Sequence, residues 1–278
     1  MNKEFLLLLK QKFIDSLKEI PNDSCISLSG GIDSSAILYG LAELEKLPNE
    51  AITFQLDGKE TKDTFYTKKI CDYFDIPLKT ANIAKLSKEK LSEEINIVKK
   101  DCKLIRSIDI QCLWAYSKML PLVENKNIIF GFYEAVLFKV DRDILIKYRK
   151  VNKGLYNRND FNEYYRQARI NVFNNKKYNN YLIEDYISNA GFKCFSPFLN
   201  KQLREFCWQH TFYDFHLLDG KFQQKASITE IFKDKFNIIG NSKNKGNFHV
   251  VGGIKKYHTD VLLENTKFKN VISAYNRI

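Results

Sequence analysis

The residues best suited to chemistry form one short segment near the amino terminus. Residues 29–35 read Ser-Gly-Gly-Ile-Asp-Ser-Ser. The glycines let the backbone approach an anion closely, the hydroxyls donate to phosphate oxygens, and Asp33 offers the carboxylate that Mg²⁺ prefers. The residues that we expect to hold phosphate are Ser29, Gly30, Gly31, Asp33, Ser34 and Ser35. The segment therefore predicts a phosphate site with a magnesium ion beside it.

The flanks of this segment predict how it is positioned. Residues 25–28 are apolar and typical of a buried strand, and residues 36–42 have the composition of a helix start. A strand, a glycine turn and a helix together present free N–H groups and the positive end of a helix to an anion. The pattern has neither the Gly-Lys-Ser/Thr ending of an NTPase loop nor the spacing of a dinucleotide fold. A plain capped Gly-Gly turn is the alternative, but it needs neither both flanks nor all the hydroxyls.

Residues 29–34 resemble the PP-loop, Ser-Gly-Gly-x-Asp-Ser, of ATP pyrophosphatases. Enzymes of that group transfer AMP to a substrate and release pyrophosphate. The resemblance implies that the chain binds ATP and Mg²⁺, with Asp33 as a metal ligand. The further nucleotide contacts that we expect are Leu28, Phe54 and Gly131.

The alternation of apolar segments predicts an α/β fold with a doubly wound parallel sheet. We expect strands at 51–56, 78–83 and 127–131, and helices at 61–74, 87–100 and 112–122. Ligands of such sheets bind beyond the carboxyl ends of the strands. Residues 55–57 and 131–134 are therefore expected on the same rim as residues 29–35.

The composition and apolar spacing divide the chain into three predicted regions. Residues 1–140 are predicted to form the ATP-binding α/β core. Residues 141–180 are polar, aromatic and very basic, and they are expected to form a lid or a connecting segment. Residues 181–278 have apolar spacing that indicates a mainly helical part completing the domain.

Three segments of the carboxyl-terminal half resemble the synthase domain of asparagine synthetase and the related β-lactam synthetases. Residues 196–206 resemble its Pro-Phe-Leu-Asp…Leu-x-Glu-Phe segment, 225–232 its Lys-x-x-Leu-Arg-Glu-x-Phe segment, and 242–248 its basic turn. All three occur in the order of that family. The resemblance implies a carbon–nitrogen ligase in which a carboxylate is adenylated by ATP and an amine then displaces AMP.

The same resemblance implies roles for two lysines. Lys225 is expected to stabilise the charged transition state, and Lys245, with Lys243, to contact pyrophosphate, because the departing charge calls for cations and backbone amides. The alternative for any one lysine is a solvated surface charge, since the chain has 44 basic residues.

Two departures from that family bear on the reaction. About thirty residues precede the loop and residue 2 is Asn, so no glutaminase domain opened by a cysteine is expected within this sequence. The amine is then free ammonia, a substrate amine, or a group delivered by a partner protein. The family's metal-binding aspartate falls near Ala135, and we expect Glu134 to replace it as a catalytic and metal-binding carboxylate.

Composition indicates which partners and which cellular compartment to expect. The formal charge of +11 favours polyanions such as ATP and RNA, but the lysines are spread along the chain as on a solvated surface. The six cysteines are scattered and form no CxxC pair, which argues against a zinc site and indicates a reducing cytoplasm. Residues 6–9 are too short an apolar run to span a bilayer.

Three functions remain open at this point. The leading one is an AMP-forming ligase acting on a small-molecule or peptide carboxylate. The second is a tRNA-modifying enzyme that adenylates a base for thiolation or amine addition, which the basic residues 141–180 favour. The third is a non-catalytic nucleotide-binding subunit.

Overall fold

The computed structural model describes residues 2–102, 106–174, 181–241, 250, 252–264 and 270–275, with the backbone alone at 101, 102 and 181. Its centre is a sheet of five parallel strands in the order β3-β2-β1-β4-β5. The strands are β1 (Ser24–Ser27), β2 (Glu50–Leu56), β3 (Leu78–Ile83), β4 (Asn127–Phe130) and β5 (Lys193–Phe195). Helices flank the sheet, so the predicted doubly wound α/β fold is confirmed.

The helices before the middle of the chain are α1 (Lys3–Leu17), α2 (Ile32–Glu43), α3 (Lys62–Phe74), α4 (Lys88–Cys102), α5 (Ser107–Met119), α6 (Ala135–Phe138), α7 (Arg142–Asn152) and α8 (Arg158–Asn174). Those that follow are α9 (Tyr181–Asn189), α10 (Lys201–Trp208), α11 (Phe212–His216), α12 (Ala226–Ile231), α13 (Lys233–Ile239), α14 (Ile254–Leu263) and α15 (Val271–Tyr275). A short antiparallel hairpin joins β6 (Leu217–Leu218) to β7 (Lys221–Phe222).

The register of the sheet brings the predicted site segments to one edge. Ser27, the last residue of β1, pairs with Ile52 on one side and with Phe130 on the other. Residues 29–35 follow the carboxyl end of β1, and residues 131–134 follow the carboxyl end of β4. Both segments therefore lie at the carboxyl edge, where parallel sheets bind ligands.

Local sequence explains the elements that support this edge. A capping box between Thr61 and Thr64 starts α3, and the left-handed residue Asp75 ends it shortly before Pro77. Inside α3, the buried hydroxyl of Thr67 donates to the carbonyl of Leu28 at 3.1 Å. This bond ties α3 to the start of the glycine-rich segment.

The sheet extends further along the chain than the sequence indicates. β5 has three residues, too few for a periodic pattern, and it pairs with β4 from beyond residue 181. Residues 141–174 form α7 and α8, whose buried side chains include Phe161, Tyr165 and Arg169. The division of the chain at 140 and 180 stays a prediction.

In the described part of the chain, every helix is too short or too polar to cross a membrane.

Candidate functional site

The turn at residues 29–31 depends on Gly30. This residue has φ +66°, a left-handed conformation that side chains disfavour. A Cβ atom there would lie 2.7 Å from the carbonyl oxygen of Asp63 and 2.8 Å from Cβ of Tyr66, both on α3. Only glycine therefore fits where the turn passes over α3.

The serines of the segment take two different positions. The hydroxyls of Ser29 and Ser34 lie 3.2 Å apart, and the amide of Gly31 donates to Oγ of Ser29 at 3.3 Å. Ser35 is fully buried and its hydroxyl accepts a bond from Asn241. Ser29 and Ser34 are thus grouped at the turn, while Ser35 faces the interior; the phosphate roles of all three stay predictions.

Asn241 is a residue of this site that sequence reasoning missed. Its Nδ2 donates to the carbonyl of Gly30 at 3.0 Å and to Oγ of Ser35 at 2.9 Å, and the hydroxyl of Tyr39 donates to its Oδ1 at 3.1 Å. Asn241 is completely buried and follows Gly240, the left-handed residue that ends α13. The Gly-Asn pair indicates a helix end, but nothing in the sequence connects it with a loop 211 residues earlier.

Lys225 joins the two predicted carboxylates. Its Nζ lies 2.7 and 2.6 Å from the two carboxylate oxygens of Asp33, and 3.7 Å from Oε1 of Glu134. The lysine side chain is 10% exposed, against 25% for Asp33 and 32% for Glu134. The three residues come from distant parts of the sequence, and the structure brings them together beside the glycine-rich turn.

The ionisation of this trio follows from its burial and its charges. Burial opposes the charge on Lys225, but the carboxylates of Asp33 and Glu134 outweigh it and raise the lysine pKa. Burial raises the pKa of Glu134, the neighbouring Asp33 adds to the rise, and Lys225 opposes it. The raised pKa of Lys225 favours its charged form, whereas the raised pKa of Glu134 favours its protonated form.

The turn that carries Glu134 is strained. Tyr133, the preceding residue, has φ 73°, an uncommon conformation for a residue with a bulky side chain. Its ring is buried and its hydroxyl donates to Oε2 of Glu184 at 2.8 Å. Lys225 is left-handed as well, with φ 59°. Strained backbone of this kind is concentrated at functional sites.

The remaining predicted nucleotide contacts lie on the same edge. Gly131 approaches the start of α2 so closely that a Cβ atom would lie 3.1 Å from the amide nitrogen of Ser34 and 3.3 Å from Cβ of Asp33. Leu28 and Phe54 are buried, and the amide of Leu28 donates to the carbonyl of Ile52 at 3.0 Å. Their contacts with a nucleotide stay predictions.

Lys243 and Lys245 lie outside the described residues, as does the whole predicted basic turn at 242–248. Their roles in binding pyrophosphate stay predictions.

The donor set at Asp33 and Glu134 fits a magnesium ion that is shared with phosphate. Both carboxylates face Nζ of Lys225, Asp33 at 2.6 Å and Glu134 at 3.7 Å, so they lie on the same side of the site. Within the described residues, no group of three or more His, Cys, Asp or Glu could hold a metal by itself. Mg²⁺ commonly binds through one or two carboxylates together with substrate phosphates, which matches this set.

Comparison with known families bears on the strands and loop just described. Residues 22–100 match the family model described as Asparagine synthase. The match contains β1, the glycine-rich turn, β2 and β3, and over these residues it confirms the predicted resemblance to PP-loop ATP pyrophosphatases. It supports an ATP-using enzyme, and ATP-dependent enzymes of this family usually require Mg²⁺. Residues 196–206 and 225–232 lie beyond it, so their resemblance stays a prediction.

No curated protein matches the chain significantly. One of the solved structures that match is the U34-tRNA thiolase NcsA from Methanococcus maripaludis with its [4Fe-4S] cluster. That alignment covers 96% of this chain and 82% of the thiolase, with 15% identity and a TM-score of 0.32.

Proposed function

We propose that this protein is an ATP-dependent ligase that releases AMP and pyrophosphate, adenylating a substrate carboxylate for attack by an amine. The observation that carries the proposal is the cluster of Lys225, Asp33 and Glu134 beside the glycine-rich turn, in which the lysine pairs with both carboxylates. The match of residues 22–100 to the Asparagine synthase model supports it.

The turn is suited to the phosphates of ATP. Gly30 and Gly31 expose the backbone, and Ser29 and Ser34 supply hydroxyls. The helix α2 begins directly after Gly31. The partial positive charge at the start of this twelve-residue helix favours a bound phosphate. Asp33 and Glu134 would hold a magnesium ion, which neutralises charge on the phosphates when it is bound.

The reaction has two steps, and each forms one bond and breaks another. An oxygen of the substrate carboxylate attacks the α-phosphorus of ATP, the bond from that phosphorus to the bridging oxygen breaks, and pyrophosphate leaves. The amine then attacks the carbonyl carbon of the acyl-adenylate, loses a proton and displaces AMP. We expect Lys225, beside the glycine-rich turn, to stabilise the negative charge that develops on the phosphate in both steps.

The test is the identity of the products. Purified protein incubated with ATP, Mg²⁺, ammonia and a panel of small carboxylic acids and peptides should release AMP and pyrophosphate in equal amounts. ³¹P NMR separates these products from ADP and phosphate. Formation of ADP and phosphate alone, with every acid, would eliminate the ligase.

A second candidate is a tRNA-modifying enzyme, and the exposed face of α7 favours it. Arg142, Arg149, Lys150 and Lys153 are exposed along or just after this helix, so it presents several cations to a polyanion. Against sulfur relay, burial raises the pKa of all five cysteines whose side chains the structure describes. Binding of tRNA that weakens steeply with salt, and that is reduced when Lys150 and Lys153 are replaced by Gln, would support this candidate.

A further inference from the structure

A chain of buried hydrogen bonds runs from α8 to the backbone of Lys225. The amide of Lys225 donates to Nδ1 of His216 at 2.9 Å, and Nε2 of His216 lies 2.9 Å from the hydroxyl of Tyr165. His216 and Tyr165 are fully buried, and Lys225 is 8% exposed. Bonds between buried groups are shielded from competition with water, so this chain can fix the position of the residue at its end.

The direction of these bonds fixes the protonation of His216. Because the Lys225 amide is a donor, Nδ1 must be the unprotonated acceptor and the ring proton must lie on Nε2. Nε2–H then donates to the oxygen of Tyr165. A protonated His216 would have no acceptor for the Lys225 amide, so the neutral ring is the form that this chain requires.

Lys225 has a backbone conformation that requires support from its neighbours. Lys225 has φ 59°, a left-handed conformation that is unfavourable for a residue with a side chain. Its carbonyl accepts from the amides of Ile228 and Thr229 in the first turn of α12, at 3.1 and 3.2 Å. The bond to His216 fixes the other side of the residue, and in this conformation Nζ reaches Asp33.

A second residue of α8 extends the same support towards Glu134. Arg169, one helical turn after Tyr165, lies with its guanidinium carbon 4.1 Å from the centre of the Tyr165 ring. Its Nη1 donates to the carbonyls of Leu137 at 3.2 Å and Cys207 at 2.8 Å. Leu137 belongs to α6, the helix that begins directly after Glu134. One face of α8 thus contacts the supports of both Lys225 and Glu134.

We propose that Tyr165 and His216 are positioning residues that hold Lys225 in its left-handed conformation and thereby aim its ammonium group at the Asp33 side of the site. This inference rests on the proposed function, in which Lys225 stabilises the reacting phosphate. It also gives the basic region at 141–174 a role as a scaffold of the site.

A matched pair of variants tests the hydrogen bond from the Lys225 amide to Nδ1 of His216. In His216→Asn the amide oxygen takes the place of Nδ1 and keeps an acceptor for the Lys225 amide. In His216→Gln the longer side chain places its amide near Tyr165 and leaves the Lys225 amide unpaired. Both remove the imidazole from its packing against Phe212, whose ring centre is 4.8 Å away, so both lose similar contacts. Arg166→Ala, an exposed change on the same helix, is the control.

The expected result is a difference between the two His216 variants at equal folding. The rate kcat of AMP release should be at least about tenfold lower in His216→Gln than in His216→Asn, since a shift of about 1 Å at a reacting group costs up to 10²-fold. The KM for ATP should differ by less than about threefold between them, and Arg166→Ala should equal wild type. Equal kcat values for the two His216 variants would overturn the inference.

A readout that does not use activity separates this inference from the proposed function. The ¹⁵N shifts of His216 should show protonation at Nε2 alone, and the Lys225 amide should exchange slowly with solvent in wild type and His216→Asn but rapidly in His216→Gln. Fast exchange in wild type, or protonation at Nδ1, would overturn the hydrogen-bond chain. Wild-type protein with the expected exchange but no release of AMP and pyrophosphate would refute the proposed ligase instead.

Discussion

The ammonium group of Lys225 lies 2.6 Å from Oδ2 of Asp33, although 192 residues separate the two in sequence. Asp33 belongs to the glycine-rich segment after the first strand, and Lys225 is the residue directly before the short helix α12. Their ion pair joins the two halves of the protein at the carboxyl edge of the sheet.

Replacement of Lys225 by Met should abolish most of the activity while the nucleotide still binds. The change removes the cation that faces the phosphate and leaves Asp33 and Glu134 without their shared partner. We expect kcat for AMP release to fall by about 10²–10³, the usual loss when one charge-stabilising group is removed. Lys221→Met, at an exposed lysine of β7, is the control and should behave as wild type. Similar rates for both variants would show that Lys225 has no part in the reaction.

Replacement of Glu134 by Gln should weaken the use of Mg²⁺. The amide keeps the size of the side chain but lacks the charge that holds a cation, so the Mg²⁺ concentration for half-maximal activity should rise at least about tenfold. Because the pKa of Glu134 is raised, wild-type protein should need more Mg²⁺ as the pH falls towards that pKa, where the carboxylate takes up a proton. Glu134→Gln should lose this dependence on pH. Glu205→Gln, at an exposed carboxylate of α10, should leave the Mg²⁺ requirement unchanged.

Replacement of Asn241 by Ala should loosen the glycine-rich turn. The variant loses the bonds from Asn241 to Gly30 and Ser35 and removes the acceptor of the buried Tyr39 hydroxyl, which should lower the free energy of unfolding by about 1–3 kcal/mol. We also expect weaker binding of ATP by calorimetry. Asn200→Ala removes the cap of α10 and should cost about 1 kcal/mol in urea unfolding. If Asn200→Ala weakened ATP binding as much, the loss would reflect stability alone.

The stability of the protein should fall on acidification through His258. Burial lowers the pKa of this ring to about 3 from its usual 6.5, and its Nδ1 lies 2.6 Å from the hydroxyl of Tyr275. The folded protein thus keeps His258 neutral while the unfolded chain takes up a proton below pH 6.5. Its contribution is therefore complete above pH 6.5 and is lost between pH 6.5 and 3, by up to about 1.4 kcal/mol per pH unit. Urea unfolding across this range should show a shallower decline for His258→Asn than for wild type, and parallel curves would contradict the prediction.

The parts of this site that the sequence predicts are those encoded locally. Residues 29–35 and the strands beside them have patterns that fall within a few neighbouring residues, and their place in the fold is confirmed. Residues that act through distant contacts leave no such pattern. Asn241, His216 and Tyr165 are single polar residues among helices, and their importance lies in a buried partner far away in sequence.

Lys225 could be predicted only in part from the sequence. A resemblance of the surrounding segment indicated the residue, but its left-handed backbone and its pairing with Asp33 depend on the packing of α8, α11 and α12. The three-residue strand β5 was missed for a related reason, since pairing with β4 defines it better than its own composition.

The central claim is that residues 29–35 hold the triphosphate of a magnesium-bound nucleotide. Calorimetric titration with Mg²⁺ and α,β-methylene-ATP, which cannot be cleaved between the α- and β-phosphates, tests it without knowledge of the carboxylate substrate. We predict saturable binding to wild-type protein, weaker binding to folded Ser34→Ala, and none to Gly30→Ala. Absence of binding to the wild type, or equal affinity in wild type and Ser34→Ala and Gly30→Ala, would contradict the account.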